Sequence, residues 1–594
     1  MYLKCNRRVK DGKEHRYWSI MENRRCAGGR VVQRPVLYLG EINDSQREAW
    51  IRSIEVFDED HCRQDKLALF SSDRPIPAAA ADGIAVRLSE FVLKRPRQWG
   101  ACWLFNQLWE ELGLREFWRG KLGTSREGTD WEHVLAASTA YRLIDPGSEW
   151  HMHRHWYANS AMGDLLGEDD ALAAKDTLYR CLDLLLPHKR ALFDHLTQRW
   201  RDLFGVKFEV LLYDLTSTYF ESNPPFPEND KRRFGYSRDK RSDCVQVVIA
   251  LIVTPEGFPL AYEVLPGNTA DKSTLREFLQ KIADQYGKAE RIWVMDRGIP
   301  TEEVLAEMRA SDPPIAYLVG TPKGRLTKLE AELASKPWQQ VRDGIDVKLC
   351  PQEGELYVFA QSRDRIGKER SMRRRALRKL LKRLVQLRAM PKLKRDELLL
   401  KLGAAKNEAG RAYHLVNIHI PEPRQAVTPE TFYFAIDRAK LREVRRREGR
   451  YLLRSNLCGD APEKLWELYM QLCHVEEAFK DLKGDLSLRP IYHQCEERIE
   501  AHIFVAFLAY CVQVTLRHRL RFHAPGLTPR AVLEKFATIQ MLDAWFPTTD
   551  DRWLIFARYT QPEKDHRLLL AQLNMELPQQ RPPHITAKGE ILIA

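Results

Sequence analysis

Three acidic residues, Asp214, Asp296 and Glu476, stand where a carboxylate either costs free energy or does chemistry. In FEVLLYD, a strand places Phe208, Val210, Leu212 and Asp214 on one face, so an acid ends an otherwise apolar row. In RIWVMDRG, Asp296 follows a short apolar strand just ahead of a Gly-containing turn. Either aspartate alone is also an ordinary turn or helix-cap residue. The third acid lies in LYMQLCHVEEAFKDLKGDLSLRP, residues 468–490. Wound at 100° per residue, Leu465, Leu468, Tyr469, Leu472, Val475, Phe479 and Leu482 gather into one stripe. Glu476 and Lys483 fall inside that stripe, whereas Glu477 points away. An ionised carboxylate facing a protein interior is costly unless something pairs with it, although Glu476 and Lys483 also fit the edge of a core stripe as snorkelling side chains. Together, two strand-end aspartates and a helix-borne glutamate form a set of hard oxygen ligands suited to Mg²⁺ or Mn²⁺. Two such ions about 4 Å apart activate an attacking oxygen and stabilise the leaving one in phosphodiester chemistry. Lys483 would add a point charge for a backbone phosphate.

The elements that must position these groups follow from hydrophobic periodicity. KFEVLLYDLTSTYF, CVQVVIALIVTPEGFPLAYEVL, RIWVMD and IAYLVG read as strands, separated by helical DKSTLREFLQKIADQYG and TEEVLAEMRAS. Strands followed by strand–helix alternation imply a mixed sheet flanked by helices. After Gly320 the alternation is interrupted for about 130 residues: a hairpin at VKLCPQEGELYVFAQS, a long basic helix from 368, and strands at AYHLVNIHI and TFYFAID. Residues 44–203 are mostly helical in pattern, and residues 1–40 alternate as short strands.

Length and composition set outer limits. A chain of 594 residues exceeds one simple core, and 44% hydrophobic with 30% charged residues is the composition of a soluble globular protein. No run of about 18 apolar residues occurs, which argues against a membrane span, and the charged N-terminus lacks the apolar core of a secretory signal. The 11 cysteines are scattered without CxxC or metal-finger spacing, as in a reduced cytosolic protein. The net charge of +12 favours a polyanionic partner. It is concentrated in residues 1–34, with ten Lys or Arg against three acids, and 368–388, with ten against one.

Several ordered motifs then carry a resemblance. YDLTSTYFE and VMDRG surround the two aspartates, GYSRDKRSDCVQVVIALIVTPEGFPLAYEVLPGNTADKSTL lies between them, and GRYLLRSNL and LRPIYH flank the glutamate helix. Over roughly residues 205–515 the chain resembles DDE transposases of the bacterial insertion-sequence group with the signature Tyr-(2)-Arg-(3)-Glu-(6)-Lys. Tyr469, Glu476 and Lys483 fit that spacing, and Leu472 occupies the Arg position. GKEHRYWSIMENRR and LYLGE resemble the long-chain subgroup.

The resemblance implies an α/β fold: an RNase H-like core with a mainly β insertion domain, plus a helical N-terminal region preceded by short basic strands. It implies Asp214, Asp296 and Glu476 as catalytic ligands of two Mg²⁺ or Mn²⁺ ions. The chemistry implied is cut-and-paste transposition: hydrolysis at the element end frees a 3′-OH, which attacks target DNA. Members of the wider group pass through a DNA hairpin held by Tyr and Lys of the signature, here Tyr469 and Lys483, and by an aromatic on the insertion domain. Trp338, the only Trp between residues 293 and 466, fits either that wedge or a buried core position. Arg297 resembles a phosphate-contacting Arg or is a surface residue, and Arg374 and Arg378 on the basic helix are candidate backbone contacts. The partners implied are double-stranded DNA, both terminal inverted repeats and target, and a second copy of the chain, in the bacterial cytoplasm at the nucleoid and away from any membrane. A stand-alone nuclease on the same fold and a catalytically inactive DNA-binding descendant are the alternatives.

The expected divisions are a basic β-rich module at 1–60, a candidate for binding DNA ends, and a helical region at 61–203. The catalytic core follows at 204–320, the insertion at 321–457, the rest of the core at 458–522 and a C-terminal helical region with tail at 523–594.

Overall fold

The structure, a computed structural model, describes residues 2–10, 13–25, 31–41, 54–58, 63–67 and 86–586, except 124, 126–127, 222–226, 228–229, 238, 240, 287–290, 297, 322–332, 334–335, 353, 490, 550 and 582. It divides into two compact units, one of Trp200–Lys480 and one built from both ends of the chain, Met1–Arg199 with Asp481–Ala594.

The unit of Trp200–Lys480 is organised by one nine-stranded sheet. Its strands are β1 (Val210–Phe220), β2 (Val245–Val253), β3 (Pro259–Pro266), β4 (Ile292–Met295), β5 (Ala316–Gly320), β6 (Gln339–Arg342), β7 (Ile345–Gln352), β8 (Glu355–Ser362) and β9 (Arg450–Ser455). The order is β6-β7-β8-β9-β5-β4-β1-β2-β3. The continuous apolar run VQVVIALIV makes β2 buried along its whole length, as a strand covered on both faces must be. β1, β2 and β3 form an antiparallel meander. Helix α1 (Asp271–Tyr286) then returns the chain to β4, and α2 (Glu302–Ala310) returns it to β5. Both strands run parallel to β1, the geometry that helical crossovers permit. Helix α2 starts at Thr301, whose hydroxyl accepts from the Val304 N–H at 3.2 Å, with Glu302 and Glu303 in the first turn. Sheet order 3-2-1-4-5, with helices before strands 4 and 5, is an RNase H-like core.

The insertion extends this sheet rather than standing apart from it. β9 runs antiparallel to β5 on one side and to β8 on the other. A network centred on buried Arg454 and Glu355 spans the junction: Arg454 donates to Glu355 at 2.6 Å and to exposed Glu302 at 2.8 Å, while Arg309 donates to Glu355 at 2.8 Å. Between β8 and β9 the chain forms α3 (Arg363–Arg388), α4 (Arg395–Ala409), a small two-stranded ladder and α5 (Arg438–Arg447). The insertion expected to be mainly β therefore also carries three described helices. The leucines of α3 close a separate core with α4 and Phe432, including Leu377, Leu380, Leu384, Leu387, Leu398 and Leu402.

In the other unit, strands Tyr2–Lys10, Lys13–Arg25 and Val31–Glu41 form an antiparallel meander, as the alternation of the basic N-terminus predicts. The C-terminal region expected to be helical is mixed. Helices Pro529–Phe536 and Lys564–Leu573 accompany strands Gln540–Pro547 and Trp553–Tyr559, and the first of these strands pairs with Val92–Gln98. Arg97, buried in that ladder, pairs with Asp543 at 2.9 Å and Asp164 at 2.7 Å. Helix Glu496–His523 is long and apolar enough to cross a membrane, contrary to the sequence expectation, but 94% of its apolar window is buried within the protein as a core helix.

Candidate active site

β4 is short and ends at Met295, which pairs in parallel register with Tyr213 of β1. Asp296 and Asp214 are each one residue beyond that pair, so they occupy matching positions on neighbouring chains, which in a sheet lie about 4.8 Å apart. Asp214 is not at a strand end as expected, because β1 continues to Phe220, paired there with β2 alone. The end that matters is that of β4: beyond Met295, the β4-facing side of β1 loses its regular partner. Asp214 is half-buried and Asp296 exposed at this notch.

The glutamate helix departs from the expected continuous stripe. It forms as α6 (Pro462–Met470), with Pro462 at its first position, and α7 (Leu472–Lys483), interrupted at Gln471. There the His474 N–H donates to the Gln471 carbonyl three residues back at 2.8 Å, a tighter turn than α-helical spacing. The apolar side of α7 is Leu472, Val475, Ala478, Phe479 and Leu482, all buried. Glu476 is exposed, as is Glu477, so the expectation that Glu476 faces the interior does not hold. Its carboxylate is instead open to solvent and to any ligand. Among the described residues, the groups whose donor atoms all lie within 4.8 Å of one another do not include Asp214, Asp296 and Glu476. The structure thus brings the aspartates into register and leaves Glu476 outside so tight a cluster.

The other predicted residues are placed as follows. Tyr469 is half-buried on α6, edge-on to Tyr451 of β9 at 6.2 Å between ring centroids. Lys483 is half-buried at the end of α7. Leu472, at the signature's Arg position, is buried and serves packing. Arg297 lies outside the described residues. Trp338 is 40% exposed, which removes the buried-core alternative; one face stacks on Phe359 at 5.5 Å, and the Lys348 ammonium sits 4.9 Å from its ring. Arg374 and Arg378 are exposed on α3. Sequence reasoning missed α5, whose six Lys or Arg in ten residues were a legible signal.

Three hard carboxylates, two of them exposed and two in strand register, suit an octahedral cation that keeps several waters and accepts substrate oxygens. The donor set therefore fits a divalent metal.

The transposase DDE domain model matches residues 206–512, and the IS1634 family transposase N-terminal domain model matches residues 3–61. Among solved structures, the chain is similar to a cryo-EM structure of the piggyBac transposase synaptic complex with hairpin DNA. The identity is 10% and the TM-score 0.33, over 74% of this chain and 78% of that one. No curated protein matches significantly. Because the first model spans more than half of the 594 residues, the chain belongs to the DDE transposase family and is an insertion-sequence transposase, a metal-dependent enzyme acting on DNA.

Proposed function

We propose that Asp214, Asp296 and Glu476 are the catalytic carboxylates and hold two Mg²⁺ or Mn²⁺ ions. The observation that carries this reading is the parallel register of Tyr213 with Met295, which sets Asp214 beside Asp296 at the end of β4. When bound, the ions lower the cost of charge on the attacking and leaving oxygens of a phosphodiester. Asp214, held by pairing with β2, supplies a fixed ligand, and exposed Asp296 and Glu476 leave room for the DNA strand. Lys483 and Arg297 contribute positive charge toward the phosphates, as do Arg374 and Arg378 from the insertion. Exposed Trp338 and half-buried Tyr469 present aromatic surface for an unpaired base at the cut end. The reaction is 3′-OH-generating hydrolysis at paired terminal inverted repeats followed by strand transfer to target duplex, carried out by a homodimer on the DNA in the bacterial cytoplasm.

The test uses purified protein, a duplex bearing the element end and Mg²⁺, comparing wild type with Glu476→Gln for end cleavage and for joining to a target plasmid. Glutamine keeps the shape and removes the charge that holds a cation. The expected result is that wild type cuts and joins, while the variant binds DNA and does neither. A variant that cuts as well as wild type removes Glu476 from the site, and cleavage without joined products in wild type makes the protein a nuclease.

A further inference from the structure

We propose that α3 and α5 together form a binding surface for duplex DNA irrespective of its sequence, and that the DNA it holds is the target.

The insertion arm carries two helices that each present a row of exposed basic side chains, among which Met372, Val385 and Val444 are also exposed. On α3 the apolar side is buried in the arm's own core, while Arg374, Arg375, Arg378 and Lys382 are exposed on the opposite side. At 1.5 Å per residue they span about 12 Å, three to four base steps of a DNA strand. On α5 no residue is buried. Winding at 100° per residue puts Arg438, Arg442, Arg445 and Arg446 on one face, all exposed. The acids at this helix are already committed: Asp437 pairs with Lys440 at 3.3 Å and Glu443 with Arg447 at 3.2 Å. None of the eight exposed cations makes an ion pair or hydrogen bond to another described residue.

The two helices are held together against their own repulsion. Glu448, immediately after α5, is buried and pairs with Arg373 and, at 3.3 Å, with Arg370, both from α3. The next N–H, of Gly449, donates to Glu369 of α3 at 3.0 Å. Gly449 has φ +68, and a Cβ there would meet Ile366 at 2.3 Å and the Ser362 carbonyl oxygen at 2.7 Å, so only glycine lets the chain seat this closely on the start of α3. Arg445 is near enough to Arg373 to add to the burial that holds its guanidinium below the usual arginine range. One buried carboxylate thus ties the end of α5 to the first half of α3, joining two like-charged helices. Such crowding is unfavourable in the free protein and becomes favourable when a polyanion displaces the counterions.

The chemistry of the surface selects the partner. Its eight side chains are all Arg and Lys, dense enough to meet successive phosphates, contacts that position DNA without reading it, and with no Asn or Gln among the eight the base reading open to them is confined to guanine edges. An element end must be distinguished by sequence, whereas target DNA need not be. The role of that DNA rests on the strand-transfer reading above, so binding is measured in the Glu476→Gln protein, where failure of the catalytic assignment leaves the measurement intact.

The test compares that protein with one also carrying Arg438→Gln, Arg442→Gln, Arg445→Gln and Arg446→Gln, on a random-sequence duplex and on an element-end duplex across a salt series. The expected result on random duplex is weaker binding and a slope of log K against log salt shallower by about 3 to 4, the release of four phosphate contacts. Element-end DNA is expected to retain its margin of preference. A version with Lys at the same four positions is expected to restore binding, which separates lost charge from lost structure. An unchanged slope on random duplex overturns the proposal, and a loss confined to element-end DNA overturns the assignment to target.

Discussion

Leu472 shows what a side chain at a motif position can do in place of the expected one. The signature spacing places an arginine there, and the residue present is a leucine packed into the buried side of α7. Seven-residue spacing set Glu476 in line with Tyr469 and Lys483 on an inward-facing stripe, and the structure exposes it. Its exposure was not legible, because the turn at Gln471 interrupts the helix that an uninterrupted 100° winding assumes. A second group of residues escaped notice because its members are distant in sequence. Glu149 accepts from His502 Nδ1 at 2.9 Å and from His493 Nε2 at 3.2 Å, with Arg142 3.8 Å away. Burial pushes the Glu149 carboxyl up, but His502 and the hydrogen bonds from both histidines overcome it and hold the group well below the usual range. Burial, with Arg142 nearby, pushes His502 down to about 4. Between that value and an unfolded value near 6.5 the unfolded chain binds the extra proton, so stability rises with pH across this window and is lost on acidification. Glu149 acts with the same sign at lower pH, its contribution vanishing as pH falls through its folded value. The expected outcome is a melting temperature that falls between pH 7 and pH 5, with a shallower fall in His502→Asn, measured by calorimetry in matched ionic strength.

Elements with a local signature were the most legible. The apolar run of β2, the crossover helices α1 and α2, and the leucine spacing of α3 all follow from periodicity within one segment. What those leucines pack against was not legible, since another domain or another subunit would give the same stripe. The structure answers with α4 and Phe432, a core internal to the arm. Leu384 is fully buried there. Leu384→Ala is expected to cost about 3 kcal/mol of arm stability through lost burial and a residual cavity, seen as faster amide exchange in α3 and α4, with β1 and β2 unchanged. The C-terminal strands were missed although MLDAWFP and WLIFARY are aromatic-rich and separated by the turn-type cluster TTDD; they pair with each other, and the first also pairs with Val92–Gln98.

At the scale of the whole chain, the two ends make one compact unit and the middle makes another. Arg97 and Asp543, partners in a buried ion pair, are 446 residues apart. Removing everything after His523 would strip Val92–Gln98 of its sheet partner and leave Arg97 buried without Asp543. Breaking a buried pair in this way typically costs about 3–5 kcal/mol. The truncated protein is therefore expected to lose protease resistance within residues 86–199 while Trp200–Lys480 keeps its own, as limited proteolysis with mass-spectrometric mapping would show. The same connectivity imposes an order in time. A ribosome adding about 5–20 residues per second needs roughly 15–60 s to pass through the 281 residues of the middle unit. The first 199 residues emerge well before the partners that complete their fold, and the central unit can close in the interval. The last segment translated is thus the one that finishes the first, and a nascent chain released early would carry a formed nuclease core beside an unfinished neighbour.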